Sequence, residues 1–329
     1  MSTNPPPSAR RVPLWVTLLP LLFGIGLWLF LWSGYRDRFE AALVAAVPQA
    51  SGFSIGGFPY RLEAQLGPTA LDWRGEAATA TLRASDVLVH RQPWREDRQV
   101  INLRDSTLSL GLAPLAGISA GISAAAAQAS LRTADNRIAR LSIVWEKPSI
   151  RLGFLNEPVA ASTLEVHFRE TPAETAPGDP SPVLPVQDQL VLRAAGLTLG
   201  EGSPLSLTLE AELTAGQPIR SLRAWREGGT AEIRDLVVSD ATGEVLRLAA
   251  TVSPGSDGRL LVAGTITTVC PASVRAALAG LPPVTEKRAR RPVSFAFTAI
   301  PGITAEAPPA DPGKPPPVRA QEPDCPRLR

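Results

Sequence analysis

The chain changes hydrophobic pattern twice, and each change marks a different kind of structure. From Val12 to Trp32, 21 residues pass without a charged side chain (VPLWVTLLPLLFGIGLWLFLW). At about 1.5 Å rise per residue, a helix of this length crosses a hydrocarbon core of about 30 Å. A cleavable signal peptide has a shorter apolar core and a small-residue cleavage site. Here the run ends in Trp28, Trp32 and Tyr35, side chains suited to a membrane interface. It therefore reads as an uncleaved anchor, and Pro20 is tolerated within such a span.

Between Tyr35 and Val47 the apolar residues Phe39, Leu43 and Val47 recur every four positions, which predicts a short amphipathic helix continuing from the anchor. Pro48 and Gly52 end it. From Phe58 onward the period becomes two. Phe58, Tyr60, Leu62, Ala64 and Leu66 alternate with polar residues or proline. The alternation returns in Leu108–Leu112, Leu141–Trp145, Ile150–Phe154, Leu164–Phe168, Leu205–Leu213 and Val293–Phe297. So many alternating segments predict antiparallel strands with one apolar and one polar face.

Turn sequences at Glu227–Gly229, Asp240–Gly243 and Pro254–Gly258 separate strands, and the last two mark hairpins in a meander from Thr230 to Val269. Two stretches read as helices instead: the alanine-rich Ile118–Arg132, and Pro271–Leu281, with proline at its start and Gly280 near its end. The fold class is thus mainly β: long, curved antiparallel sheet or sheets with a few short helices, behind one transmembrane helix.

Composition divides the chain further. Thr171–Pro185 holds five prolines and reads as an exposed linker; Gly302–Arg329 holds eight, with no period, and reads as a disordered tail. The resulting organisation is a cytosolic tail at 1–11, the span at 12–32, a β-rich half at 33–170, the linker at 171–185, a second β-rich half at 186–301 and the tail at 302–329. Arginines are equal in number on the two sides of the span: Arg10 and Arg11 before it, Arg36 and Arg38 after it. The free amino terminus tips the balance inward. This places the chain in the inner membrane as a single-pass protein, with its bulk in the periplasm.

A net charge of +2 and only three lysines leave no nucleic-acid footprint. Two cysteines, Cys270 and Cys325, exclude a disulfide-rich scaffold; one bond tying back the tail and two separate thiols are both open. Gly117-Ile118-Ser119-Ala120-Gly121 matches the nucleophile-elbow pattern. That elbow needs a parallel βα scaffold and a histidine base, and the chain owns only His90 and His167. We read it as a small-residue turn. Two lone histidines and two distant cysteines offer no metal-ligand spacing. Carboxylates sit beside arginines as solvated pairs: Glu63 near Arg61, Asp97 near Arg95 and Arg98, Glu170 beside Arg169. No catalytic residue, cofactor or metal is assigned.

The segment Gly57-Phe58-Pro59-Tyr60-Arg61-Leu62 places a proline, which has no N–H to donate, at a strand start or sheet edge near the anchor. The order of anchor, short helix, this motif, Trp73 and a long β-rich region resembles the bacterial family catalogued as domain of unknown function 2125. The resemblance covers residues 12–300 and implies an envelope location and this architecture, without a reaction. Trp225, Gly228-Gly229, Ile233 and Leu236 also look like the repeats of AsmA-type proteins, a membrane-anchored, β-rich group implicated in lipid movement or envelope upkeep.

Two functions follow as expectations. One is a non-enzymatic envelope protein whose apolar sheet face binds or shields the acyl chains of membrane lipid, with Phe58, Tyr60, Leu62, Leu205, Leu207 and Leu209 on that face. The same residues could equally fill an ordinary core. The other is a membrane-tethered scaffold that docks an envelope protein partner through its proline-rich tail.

Overall fold

A computed structural model describes residues 14–48, 52–75, 78–112, 118–135, 137–153, 155, 157–171, 184–219, 221–255, 259–300, 304–306 and 322–328. The expected tail at 1–11 and most of the linker lie outside these residues.

The anchor and the amphipathic segment form one helix, α1 (Leu14–Ala46), with Pro20 inside it. Its apolar first half stands clear of the rest of the protein, and the helix as a whole is long and apolar enough to cross a membrane. Its last turns behave differently. Phe39 and Leu43 are buried and Val47 packs beside them, as the spacing of four predicts.

After α1 every regular pairing is antiparallel. The first strands are β1 (Phe53–Gly56), β2 (Leu62–Leu66), β3 (Thr69–Arg74), β4 (Ala78–Ala84) and β5 (Asp86–Arg91). Two long strands follow, β6 (Arg98–Leu112) and β7 (Ile118–Ala134). One end of β6 pairs with β5 and the other with β4, so β1–β2–β5 and β3–β4 branch side by side from it. Beyond β7 lie β8 (Arg137–Glu146) and β9 (Ser149–Leu152), then β10 (Val159–Ala160) and β11 (Thr163–Glu170), which lead to β12 (Val186–Leu199). The sheet continues strand by strand through β13 (Leu205–Thr214), β14 (Thr230–Asp240), β15 (Gly243–Pro254), β16 (Leu260–Thr268), β17 (Val293–Ile300) and β18 (Thr304–Glu306). Two short helices interrupt this run, α2 (Leu222–Arg226) between β13 and β14 and α3 (Pro271–Leu278) between β16 and β17. The sheet curves round into a barrel-like form. Among the described residues no ladder joins β1 or β3 to β17 or β18.

One row of residues shows how the curved sheet is filled. Val87, Leu103, Ala127, Trp145, Leu164, Ala194 and Leu207 lie opposite one another on successive strands and share one core cluster. Bulky Trp145 has Ala127 beside it, so large and small side chains alternate across the row. Phe39 and Leu43 of α1 complete this cluster. A second cluster joins Ile266, Phe295 and Phe297 to Val274 of α3.

Two expectations change, and two further segments are described in part. Ile118–Arg132 is not a helix but most of β7, a long inner strand. Its alanines 124, 127 and 129 are buried against neighbouring strands, and this packing overrides alanine's helix preference. Phe58 and Tyr60 do not begin a strand; they lie in the turn before β2, held by Arg61 N–H donating to the Gly57 carbonyl at 3.1 Å. The segment Thr171–Pro185 joins β11 to β12, which pair directly, so the sheet runs across it without a break. The tail is ordered where it is described. Thr304–Glu306 forms β18, Cys325 is bonded to Cys270, and Lys287 pairs with Asp324 at 2.6 Å. The helix at α3 and the meander β14–β15–β16 are as expected.

Candidate functional site

The end of the sheet nearest the apolar helix gathers aromatic and cationic side chains. As α1 emerges from its apolar stretch, Trp28 meets Trp94 of the turn between β5 and β6, with ring centroids 6.3 Å apart. One turn further, Trp32 meets the ring of Phe58 edge-on at 5.4 Å, in the turn between β1 and β2. Phe58 (51% exposed), Tyr60 (74%) and Trp94 (51%) remain open to the surroundings. These turns thus set a collar of exposed rings around α1 at the level where its apolar run ends.

Inside the collar, Arg91 at the end of β5 turns onto the core side of the sheet and stacks over Phe39 at 4.6 Å. Only 6% of Arg91 is exposed, and its Nε and Nη2 have no hydrogen-bond partner. Burial lowers the affinity of Arg91 for its proton, against the attraction of Glu96.

On the outer face of the same strands, arginines fall into register. Arg98 of β6 lies opposite Arg132 of β7, Arg132 opposite Arg140 of β8, and Arg140 opposite Arg169 of β11. Asp97 is the carboxylate nearest this row, 3.5 Å from Arg98 and 3.6 Å from Arg132. Among the described residues, Arg95, Arg140 and Arg169 have no carboxylate at ion-pair distance. A broad open pocket of about 850 Å³ lies against this face. Arg61, Arg91, Arg95, Arg98, Arg132 and Arg140 line it together with His90. Glu63, beside His90 on the same face, pairs with Arg61 at 2.7 Å and with His90 at 3.2 Å.

The six residues expected on a lipid-binding face separate. Leu62 is wholly buried and Leu205 nearly so, while Leu207 packs against the core and Leu209 is half-buried. Phe58 and Tyr60 sit outside, in the collar. The sheet approaches α1 through turns rather than through an edge at Pro59. Glu63–Arg61 and Asp97–Arg98 pair as expected, but Glu170 pairs with Arg137 at 3.0 Å. Ser119 lies within β7 opposite Gly111, a strand position rather than an elbow; Gly117 is outside the described residues. No cluster of three or more metal-ligating side chains occurs among the described residues.

No single segment of the sequence points to the row of arginines. Each arginine is legible as a polar-face residue near a strand end, but only the register of four strands places them side by side.

A model of a bacterial family described as an uncharacterized protein conserved in bacteria, DUF2125, matches residues 40–314. No curated protein and no solved structure matches the chain. The comparisons do not extend the likeness to AsmA-type proteins.

Proposed function

The chain belongs to the domain of unknown function 2125 family of bacterial proteins, and from that premise we propose that it is a non-enzymatic, membrane-tethered envelope protein whose β domain stands on the periplasmic surface of the inner membrane and contacts lipid there. The observation that carries this reading is the contact of Trp28 and Trp32, on the apolar helix, with Trp94 and Phe58 on the domain. These contacts hold exposed aromatic turns at the level where the span ends, and such rings favour the headgroup boundary of a bilayer. The Cys270–Cys325 disulfide supports an exported domain, because such bonds persist in oxidising compartments.

The lipid contact proposed is at this rim rather than on the concave sheet face, which α1 fills with Phe39 and Leu43. The scaffold reading draws on the proline-rich tail. β18 and the disulfide at Cys325 hold the described parts of that tail against the β domain, which counts against a free docking arm.

The test uses the full chain in nanodiscs containing lipids brominated near the headgroup. The wild type should show quenching of tryptophan emission that falls when Trp94 is replaced by Phe. Equal quenching in both would mean that the turn between β5 and β6 does not reach the bilayer, and the reading would fail. A reporter active only outside the cytosol, fused after Arg329, should be active; inactivity would reverse the orientation.

A further inference from the structure

We propose that the arginine-lined pocket on the outer face of β5–β8 binds the phosphate headgroup of an anionic phospholipid from the leaflet against which the aromatic collar rests. This deepens the proposed function and rests on it for the position of the bilayer.

Three observations converge. The first is the register. Directly opposed side chains on neighbouring strands have Cβ atoms about 4.5–5.5 Å apart, and like charges so placed destabilise the pair. Here the opposition is repeated along Arg98, Arg132, Arg140 and Arg169. Asp97 balances one end of the row, and Arg140 and Arg169 at the other have no ion-pair partner among the described residues. A sheet that only needed a solvated polar face would place opposite charges across these positions. A row of one sign is stabilised by an anion with several acceptor oxygens, and guanidinium groups match phosphate in planar, paired hydrogen bonds.

The second is Arg91. It lines the pocket while nine-tenths buried, and two of its nitrogens are unpartnered. Burying an unsatisfied charged donor costs free energy. Its guanidinium stays on the core side over Phe39, and its charge, with no carboxylate at ion-pair distance among the described residues, adds to the positive field at the edge of the pocket.

The third is position. Gln92 and Arg95, flanking Trp94 in the turn, both line the pocket, as does Tyr60 of the collar. The same turn touches Trp28 on the apolar helix. The mouth therefore opens beside the depth at which lipid phosphates lie. No carboxylate is among the described residues lining it, and the neutral remainder, including Asn102, Gln128 and Ser130, adds hydrogen-bonding groups suited to a polyol phosphate. A diacyl lipid can present its phosphoglycerol group here while its chains stay in the bilayer, so no acyl cavity in the β domain is required.

The experiment takes the full chain in an uncharged detergent and adds phosphatidylglycerol or phosphatidylcholine at equal mole fraction, reading bound lipid by native mass spectrometry and unfolding by thermal scan. Phosphatidylglycerol should be retained with about a tenfold preference, the scale of one charge-assisted bond, and should raise the unfolding temperature; added salt should reduce both effects. The double variant Arg132→Gln/Arg140→Gln should unfold at a higher temperature than the parent without anionic lipid, since the repulsion is gone, and should lose the preference. Equal retention of the two lipids by the parent, or an unchanged preference in the double variant, would overturn the proposal. So would a full stabilising shift from glycerol 3-phosphate alone, which would assign the pocket to a soluble phosphate ester. Quenching by brominated lipid reports the collar whatever the headgroup, so loss of docking and loss of headgroup selectivity are read separately.

Discussion

The guanidinium of Arg91 lies 4.6 Å above the ring of Phe39, joining the last strand residue before the β5–β6 turn to the long apolar helix α1. Both side chains are almost entirely buried. One contact thus ties α1 to the core at the edge of the arginine pocket.

Phe39→Ala should destabilise the folded domain by about 3–5 kcal/mol, the usual cost of emptying a buried aromatic site. Thermal unfolding of the full chain in detergent measures it. Arg91→Met should cost much less, because methionine keeps the apolar packing while removing a charge whose Nε and Nη2 are unpartnered. Equal losses in the two variants would show that Arg91 is held by bonds the structure does not contain.

Asp188 gives the fold a pH dependence of defined sign. It is buried on β12, and its pKa is pushed up to about 6, first by burial and then by Glu170 directly opposite on β11, with Arg137 pulling the other way. The folded state therefore holds this proton more tightly than the unfolded chain, whose carboxyl titrates near 3.8. Stability should fall as pH rises from about 4 to about 6 and then level off. Asp188→Asn should remove that slope and add about 3 kcal/mol at neutral pH. Denaturant titrations of both proteins across this range decide it; a slope that survives the substitution must come from another group.

The disulfide between Cys270 and Cys325 spans 55 residues. Reduction should cost about 4 kcal/mol through the loop entropy restored to the unfolded chain. The loss should be centred on α3 and the segment around Glu286, where Cys325 N–H donates to the Glu286 carbonyl at 2.8 Å and the Glu286 carboxylate accepts from Ala272 and Ser273 N–H. Hydrogen exchange before and after reduction should show new opening there, while the row through Trp145 stays protected.

In β7, Ala127→Leu should destabilise by about 1–3 kcal/mol through overpacking against Trp145 and Leu103, its neighbours on either side. A Ser130→Leu change on the outward face of the same strand should leave unfolding nearly unmoved. This contrast tests the facing of a segment whose composition suggests a helix.

That segment also shows what a sequence reveals and what it withholds. The leucine-rich strands such as β13 announce themselves because a large side chain recurs every second residue, and α1 because its apolar run is continuous. In β7 the buried positions hold alanine, since Leu103 and Trp145 on the flanking strands supply the bulk. Small residues leave no period to read, and local composition then favours the wrong element. Phe58 and Tyr60 mislead in the opposite way: the alternation is present, but Gly57 and Pro59 turn the chain before the strand begins. The arginine row lies beyond single-segment reasoning, because adjacency across Arg98, Arg132, Arg140 and Arg169 is a property of four registers together.

The continuity of α1 has a mechanical consequence. A flexible tether lets its cargo tumble, but here the helix that is long and apolar enough to cross a membrane is the same helix that packs Phe39 and Leu43 into the domain, running unbroken from Leu14 to Ala46. Under the proposed anchoring, the height and bearing of the β domain relative to a bilayer would follow from this one helix. Any tilt that a thicker or thinner membrane imposed on such a span would then be passed to the seat of Phe39 and Leu43.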